Sequence, residues 1–133
     1  MKLHRSGEDY LKTILILQNT NGCASSTDVA EHLKVSKASV SRAMKLLCEG
    51  WFLTMDQHKQ LHLTPLGASV AEEIYERHRI LRQLLLSIGV GPDIAEQDAC
   101  RIEHVISRET LERVKALCTQ RSAFALLAQP GKA

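Results

Sequence analysis

Apolar residues return at two periods along this chain, and the switch between them outlines the fold. In "SGEDYLKTILILQNT", Leu11, Ile14, Leu15 and Leu17 recur every three or four positions, which predicts a helix over 6–19. Ser6 is placed to cap it, and Glu8 and Asp9 fall in its first turn, where the helix dipole favours acids. "NTNGC" ends it. "SSTDVAEHL" predicts a short helix with Val29, Ala30 and Leu33 inward. After the tight turn "KVS", "KASVSRAMKLLCEG" predicts another, capped by Ser36, with Val40, Ala43, Met44 and Leu47 inward and Gly50 as its stop. The period then drops to two: "WFLTM" and "QLHLT" flank the polar turn "DQHK", which predicts a hairpin. Thr64 and Pro65 open a helix of about twenty residues with the cap and first-turn chemistry such starts require. "VGPD" punctuates it, residues 92–107 predict a further helix, and "SRETLERVKALC" one more, with Ser107 capping.

Two short helices joined by a tight turn and followed by a hairpin make a winged helix-turn-helix. The expected fold is mainly α: this winged domain over 1–66, a helical domain over 67–121, and a flexible tail over 122–133. The long helix carries Ile80, Leu81, Leu84, Leu85 and Leu86, more apolar surface than so small a winged domain can cover. With residues 92–106 it is expected to bury that surface in a homodimer.

Composition narrows the picture only a little. At 44% hydrophobic and 24% charged, the 133 residues are ordinary for a soluble globular protein. No apolar run approaches the roughly 20 residues of a membrane span, and the N-terminus turns polar before a signal-peptide core forms, so a cytoplasmic location and no membrane partner are expected. The net charge of +2 is uninformative as a total, but residues 1–66 hold eight Lys/Arg against six Asp/Glu, whereas 67–133 hold nine of each. The excess gathers in "KVSKASVSRAMK", residues 34–45, which contains no acid. Small polar residues at a helix start let the backbone approach a phosphate, and Lys37 and Arg42 are long enough to reach phosphates or guanine edges. A solvated basic face would look the same in isolation; the preceding helix, turn and wing favour double-stranded DNA. The DNA-facing candidates are Thr27, Ser36, Lys37, Ala38, Ser39, Ser41, Arg42 and Lys45.

The second candidate site is "DACRIEHVIS", with Cys100, Glu103 and His104 at offsets that share one face of a helix. A carboxylate, an imidazole and a thiolate suit divalent first-row metals, the thiolate biasing towards softer ions. Read by itself, the trio could equally be a packed small residue beside two polar ones. Cys23, Cys48 and Cys118 form no paired spacing and are expected to pack.

"EDYLKTI", "TDVAEHLKVSKASVSRAMKLL", "LTPLG", "YERHRILRQLL" and "DACRIEHVIS", in this order, resemble the DtxR/MntR family of metal-dependent transcriptional repressors over about residues 6–118. The resemblance implies a winged DNA-binding domain joined to a helical metal-binding and dimerisation domain, in a short form without the family's C-terminal SH3-like domain. It implies a homodimer that binds operator DNA when divalent iron or manganese (Fe2+ or Mn2+) is bound, controlling metal-homeostasis genes. Carried over by position, the metal ligands are Asp9, Cys100, Glu103 and His104, and His78 matches the histidine of a second family site. Asp9 is the manganese-type residue and Cys100 the iron-type one, so this chain mixes the two. Arg82 and Lys12 stand where relatives carry glutamates and Glu96 where one type carries a histidine; cations at those places disfavour a second ion. An enzyme is not expected, since no Gly-rich loop or oxyanion donor accompanies Cys100 and His104, and no organic substrate is expected. The competing function is a winged-helix regulator that senses an organic ligand or redox state through Cys100.

Overall fold

The structure, a computed structural model, describes residues 3–128. Its elements are α1 (Arg5–Asn21), α2 (Ser26–Leu33), α3 (Lys37–Glu49), β1 (Leu53–Met55), β2 (Leu61–Leu63), α4 (Pro65–Ser87), α5 (Pro92–Ile102) and α6 (Arg108–Ala128). The chain divides into two compact units, Met1–Tyr75 and Glu76–Ala133. The joint drawn from the sequence at 66/67 marks the start of α4, while the units part inside that helix.

In the first unit the caps act largely as the residue types dictate. Ser25 and Asp28 form a reciprocal capping box at the start of α2, with Asp28 N–H donating to Ser25 Oγ at 3.2 Å and Ser25 N–H to Asp28 Oδ2 at 3.0 Å. Ser36 Oγ accepts from Ser39 N–H at 3.1 Å at the start of α3. Thr64 Oγ1 accepts from Gly67 N–H at 3.0 Å ahead of Pro65. Two expectations are corrected. Helix α1 begins two residues earlier than a Ser6 cap would set it: His4 holds the N-cap position without a side-chain bond, and Ser6 lies inside the helix. Gly50 does end α3, but at φ −84°; the left-handed residue is Trp51 at φ 66°. Gly22, at φ 83°, closes α1 in the manner a left-handed cap requires, its N–H donating to Gln18 O at 2.9 Å.

The three helices enclose one core. Leu11, Ile14 and Leu17 of α1 meet Val29 and Ala30 of α2, Val40, Met44 and Leu47 of α3, and Phe52, Leu53 and Leu61 of the hairpin. Each large aliphatic side chain buried there stabilises by about 1.5–3 kcal/mol, and trimming fully buried Ile14 to alanine would cost about 2–5 kcal/mol. The strands pair antiparallel in the register Leu53↔Leu63, Thr54↔His62, Met55↔Leu61. Asp56 shapes their turn: its carboxylate accepts from His58 N–H at 2.8 Å and Gln60 N–H at 3.0 Å, and bonds His62 Nε2 at 2.8 Å. The hydrogen bond from His62, then that from Gln60, holds the Asp56 carboxyl below its ordinary pKa. Leu61 N–H donates to Ala24 O at 2.8 Å and Gln18 Nε2 to Leu61 O at 3.0 Å, which stitch the second strand to α1 and the loop after it. A side chain at Gly67 would overlap the Phe52 carbonyl oxygen, so only glycine lets the start of α4 lie against that backbone.

The second unit is thinner. Leu81, Ala95, Ala99 and Leu111 are its buried apolar residues among those described. Ala95 and Ala99, one turn apart on α5, are fully buried, and side chains that small let another backbone come close. Lys115 of α6 pairs with Glu76 of α4 at 2.8 Å; the hydrogen bond lowers the Glu76 carboxyl and raises the Lys115 amine relative to their usual pKa values. Ser107 accepts from Thr110 N–H at 3.1 Å before α6. Ile88, Ile94, Val105 and Leu117 leave apolar surface exposed. Of the segment 122–133 assigned to a tail, residues 122–128 continue α6, and 129–133 lie outside the described residues.

Candidate metal centre and nucleic-acid interface

Helix α3 presents two distinct faces. Val40, Met44 and Leu47 recur at helical spacing and are buried. Ser36, Lys37, Ala38, Ser41, Arg42 and Lys45 are exposed, Ser39 is half-buried, and Thr27 is exposed at the start of α2. The first turn of α3 holds no acid, so no side-chain charge there compensates the positive end of its dipole. Lys34 adopts φ 57° to turn the chain between α2 and α3, and Val35 N–H donates to Ala30 O at 3.1 Å. The turn is three residues long, as the helix-turn-helix geometry needs.

The polar cluster of the second unit is built from α4, α5 and the turn after α5. Helix α5 stops at Ile102, not at 107. Glu103 keeps helical dihedrals at the C-cap and its N–H donates to Ala99 O at 3.0 Å, so the helical course from Cys100 reaches Glu103, and His104 lies just past it. What joins the residues is His78 from α4. Its Nδ1 lies 3.0 Å from Glu103 Oε2 and 3.7 Å from Cys100 Sγ. Glu103 Oε1 lies 3.3 Å from His104 Nε2, so one carboxylate stands between two imidazoles. Glu103 is fully buried, and the side chains of His78 and His104 nearly so. A carboxylate there requires charged or strongly polar partners, and the two imidazoles supply them.

Sequence reasoning undervalued Glu96. Its Oε1 lies 2.9 Å from His78 Nε2, and its Oε2 takes Arg82 Nε at 3.0 Å. His78, Glu96 and Cys100 each offer a ligand atom within 4.8 Å of the others. Glu96 and Cys100 are four apart on α5, a spacing that could have flagged the pair, but nothing local points to His78, eighteen residues before Glu96. Asp9 lies half-buried on α1 and Lys12 is buried on the same helix, both in the first unit. Imidazole nitrogen, carboxylate oxygen and thiol sulfur brought together around buried His78 form a donor set that fits a divalent first-row ion.

A winged helix-turn-helix whose second helix starts on an acid-free basic stretch, followed by a unit that gathers imidazole, carboxylate and thiol donors around a buried histidine, is the architecture of a metal-responsive transcription regulator. Residues 2–59 match the family described as iron dependent repressor, N-terminal DNA binding domain, and residues 64–122 its metal binding and dimerisation domain. The chain is 37% identical over 118 residues to the transcriptional regulator MntR of Salmonella typhimurium, covering 89% of this chain and 75% of that one. It is 34% identical over 109 residues to the HTH-type transcriptional regulator MntR of Geobacillus kaustophilus, covering 82% and 77%. Its fold matches the manganese regulator SloR with a TM-score of 0.77 at 28% identity; the match takes in 90% of this chain and 55%, about half, of SloR. The chain belongs to the iron-dependent repressor family, metal-dependent regulators of transcription that include the MntR proteins.

Proposed function

We propose that this protein is a homodimeric repressor that binds double-stranded operator DNA when divalent iron or manganese is bound, with the DNA-binding domain within 1–66 and the metal-binding, dimerising domain within 67–121. The observation that carries the reading is the cluster of His78, Glu103 and His104, their side chains buried, with half-buried Cys100, in the domain the family uses for metal. Cys100, Glu103 and His104 are the proposed ligands, with His78 beside them. Asp9 is added by its position in the family pattern. The bound ion supplies a compact positive charge that offsets the buried carboxylate and thiolate. The chain's own residues do the rest: Glu103 orients both imidazoles, and the exposed face of α3 with Thr27 meets the DNA. Ser36, Ser39 and Ser41 leave room for a phosphate, and Lys37, Arg42 and Lys45 contact phosphates and base edges. Ile88, Ile94, Val105 and Leu117 provide apolar area for a second copy, which sets two recognition helices on a pseudo-palindromic site.

No helix among the described residues is long and apolar enough to cross a membrane, which is compatible with a cytoplasmic regulator. The family's named members are regulators, and we assign no catalytic activity and no organic substrate. The test is an anaerobic operator titration with Fe2+ and Mn2+ separately, under reducing conditions, alongside sedimentation. Metal-dependent binding by a dimer is expected. Equal binding with and without metal refutes the reading, and a change on oxidation alone would favour redox sensing through Cys100. Asp9→Ala is expected to stay folded and lose most metal-induced DNA affinity.

A further inference from the structure

His78 meets a carboxylate on each ring nitrogen, and the two sides differ. On one, Nδ1 faces Glu103 Oε2 at 3.0 Å and Cys100 Sγ at 3.7 Å, within buried surroundings. On the other, Nε2 faces Glu96 Oε1 at 2.9 Å, and Glu96 is half-exposed with its second oxygen taken by Arg82 at 3.0 Å. Arg82 lies four residues after His78 on α4, so guanidinium and imidazole project from one face of that helix. Guanidinium is a permanent cation with a directed fork of donors. The outer side of His78 thus carries its positive charge covalently, as part of the chain.

A neutral imidazole has one N–H and one lone pair, and a metal takes the lone pair. The hydrogen bond at the other nitrogen decides which one is offered. We propose that Arg82 and Glu96 are a positioning pair for the metal site: Arg82 holds Glu96, Glu96 accepts the Nε2 proton of His78, and Nδ1 is thereby presented to the same side as Cys100 and Glu103. This rests on the reading that the unit binds a divalent metal. An ion at Nε2 would instead compete for a carboxylate already engaged by Arg82 and would stand close to that cation. Glu96 is then a partner of the ligand histidine, although its distance to His78 and Cys100 would also suit a ligand.

The probe is Co2+ added anaerobically to the full-length protein, with chelator competition for affinity and the thiolate-to-cobalt absorption band as the signature of Cys100. Arg82→Ala and Glu96→Gln are each expected to weaken Co2+ binding by about 10–100-fold, the usual effect of losing such a partner. The absorption band and the ion count per protomer should persist, and Arg82→Lys, which keeps the cation, should recover most of the loss. Both residues sit at the half-exposed edge of the unit, so the variants should fold, which circular dichroism checks. In the Zn2+-loaded parent, 15N shifts of His78 should report a protonated Nε2 and a metal-bound Nδ1. Unchanged or tighter Co2+ binding in Arg82→Ala, an extra ion in that variant, or a metal-bound Nε2 would overturn the proposal and make Glu96 a ligand. A parent protein that binds no Co2+ would overturn the metal reading itself, and this inference with it.

Discussion

The face of α3 and the cluster around Glu103 solve opposite problems. Seven of the eight DNA-facing candidates fall between Ser36 and Lys45, on one helix and its cap, and none is buried. The cluster draws on His78, Glu96, Cys100, Glu103 and His104, from two helices and a turn, and encloses a fully buried carboxylate. An exposed cation costs little to keep and contributes only when a partner arrives. A buried carboxylate must be satisfied in the folded state, by an imidazole donor or by an ion, so replacing it bears on the fold as well as on binding. Substitutions in the two regions should therefore separate: the first changes binding without stability, the second changes both.

The largest effect is expected at Glu103. Glu103→Ala leaves the buried ring nitrogens of His78 and His104 without their carboxylate, and should lower unfolding free energy by about 1–3 kcal/mol as well as reducing metal affinity beyond detection. Urea denaturation of the metal-free protein reads the first, and chelator competition the second. Loss of metal affinity with unchanged stability would break the contrast, because the carboxylate would then serve the ion alone. Next comes Arg42→Ala, expected to weaken operator binding by about 1–3 kcal/mol while leaving the urea midpoint in place. Lys45→Ala should weaken binding to all sequences evenly and reduce the salt slope by about one. Fluorescence anisotropy over a salt series separates a base reader from a phosphate contact.

Legibility follows the same division. Caps, turns and the α3 face are local, so Ser36, Thr64 and the acid-free stretch 34–45 declared themselves in sequence. The end of α5 did not. Glu103 at the C-cap keeps helical dihedrals and a bond to Ala99 O, and the apolar spacing continues past it to Ile106, so no local break marks the end. Ser6 misled because a good capping residue stands at the second position of a helix that starts without a side-chain cap. The Arg82–Glu96–His78 chain was out of reach because its members come from two helices, and no periodicity in one segment encodes a contact with another.

Two smaller tests sharpen the contrast inside the DNA-binding unit. Ser36→Ala removes the cap of α3 and should cost about 1 kcal/mol of stability, read from the urea midpoint. That makes Ser36 the one interface candidate expected to affect both properties. The smallest effect is expected at Asp56. Its folded pKa is depressed, so the stability it gives the hairpin is complete above the ordinary carboxylate pKa and fades as pH falls through the lower folded value. The exchange protection of the Gln60 amide, relative to an unfolded peptide at the same pH, should fall in acid below about pH 4 in the parent, where Asp residues ordinarily titrate. In Asp56→Asn it should be low at every pH, and a parent protection that ignores acid would remove Asp56 as the organiser of the turn.

The stitching of the hairpin also bears on the order in which the unit assembles. Strands of three residues do not hold together alone in water. Here the second strand depends on Gln18 and Ala24, some forty residues earlier in the chain, through bonds that exist only once the helices are in place. Closing that span costs entropy before any bond returns it. The hairpin is therefore expected to form late in folding, on the downhill side of the barrier. Weakening it should hasten unfolding and scarcely slow folding, whereas trimming Ile14 or Met44, in the helical core that must form first, should slow folding itself.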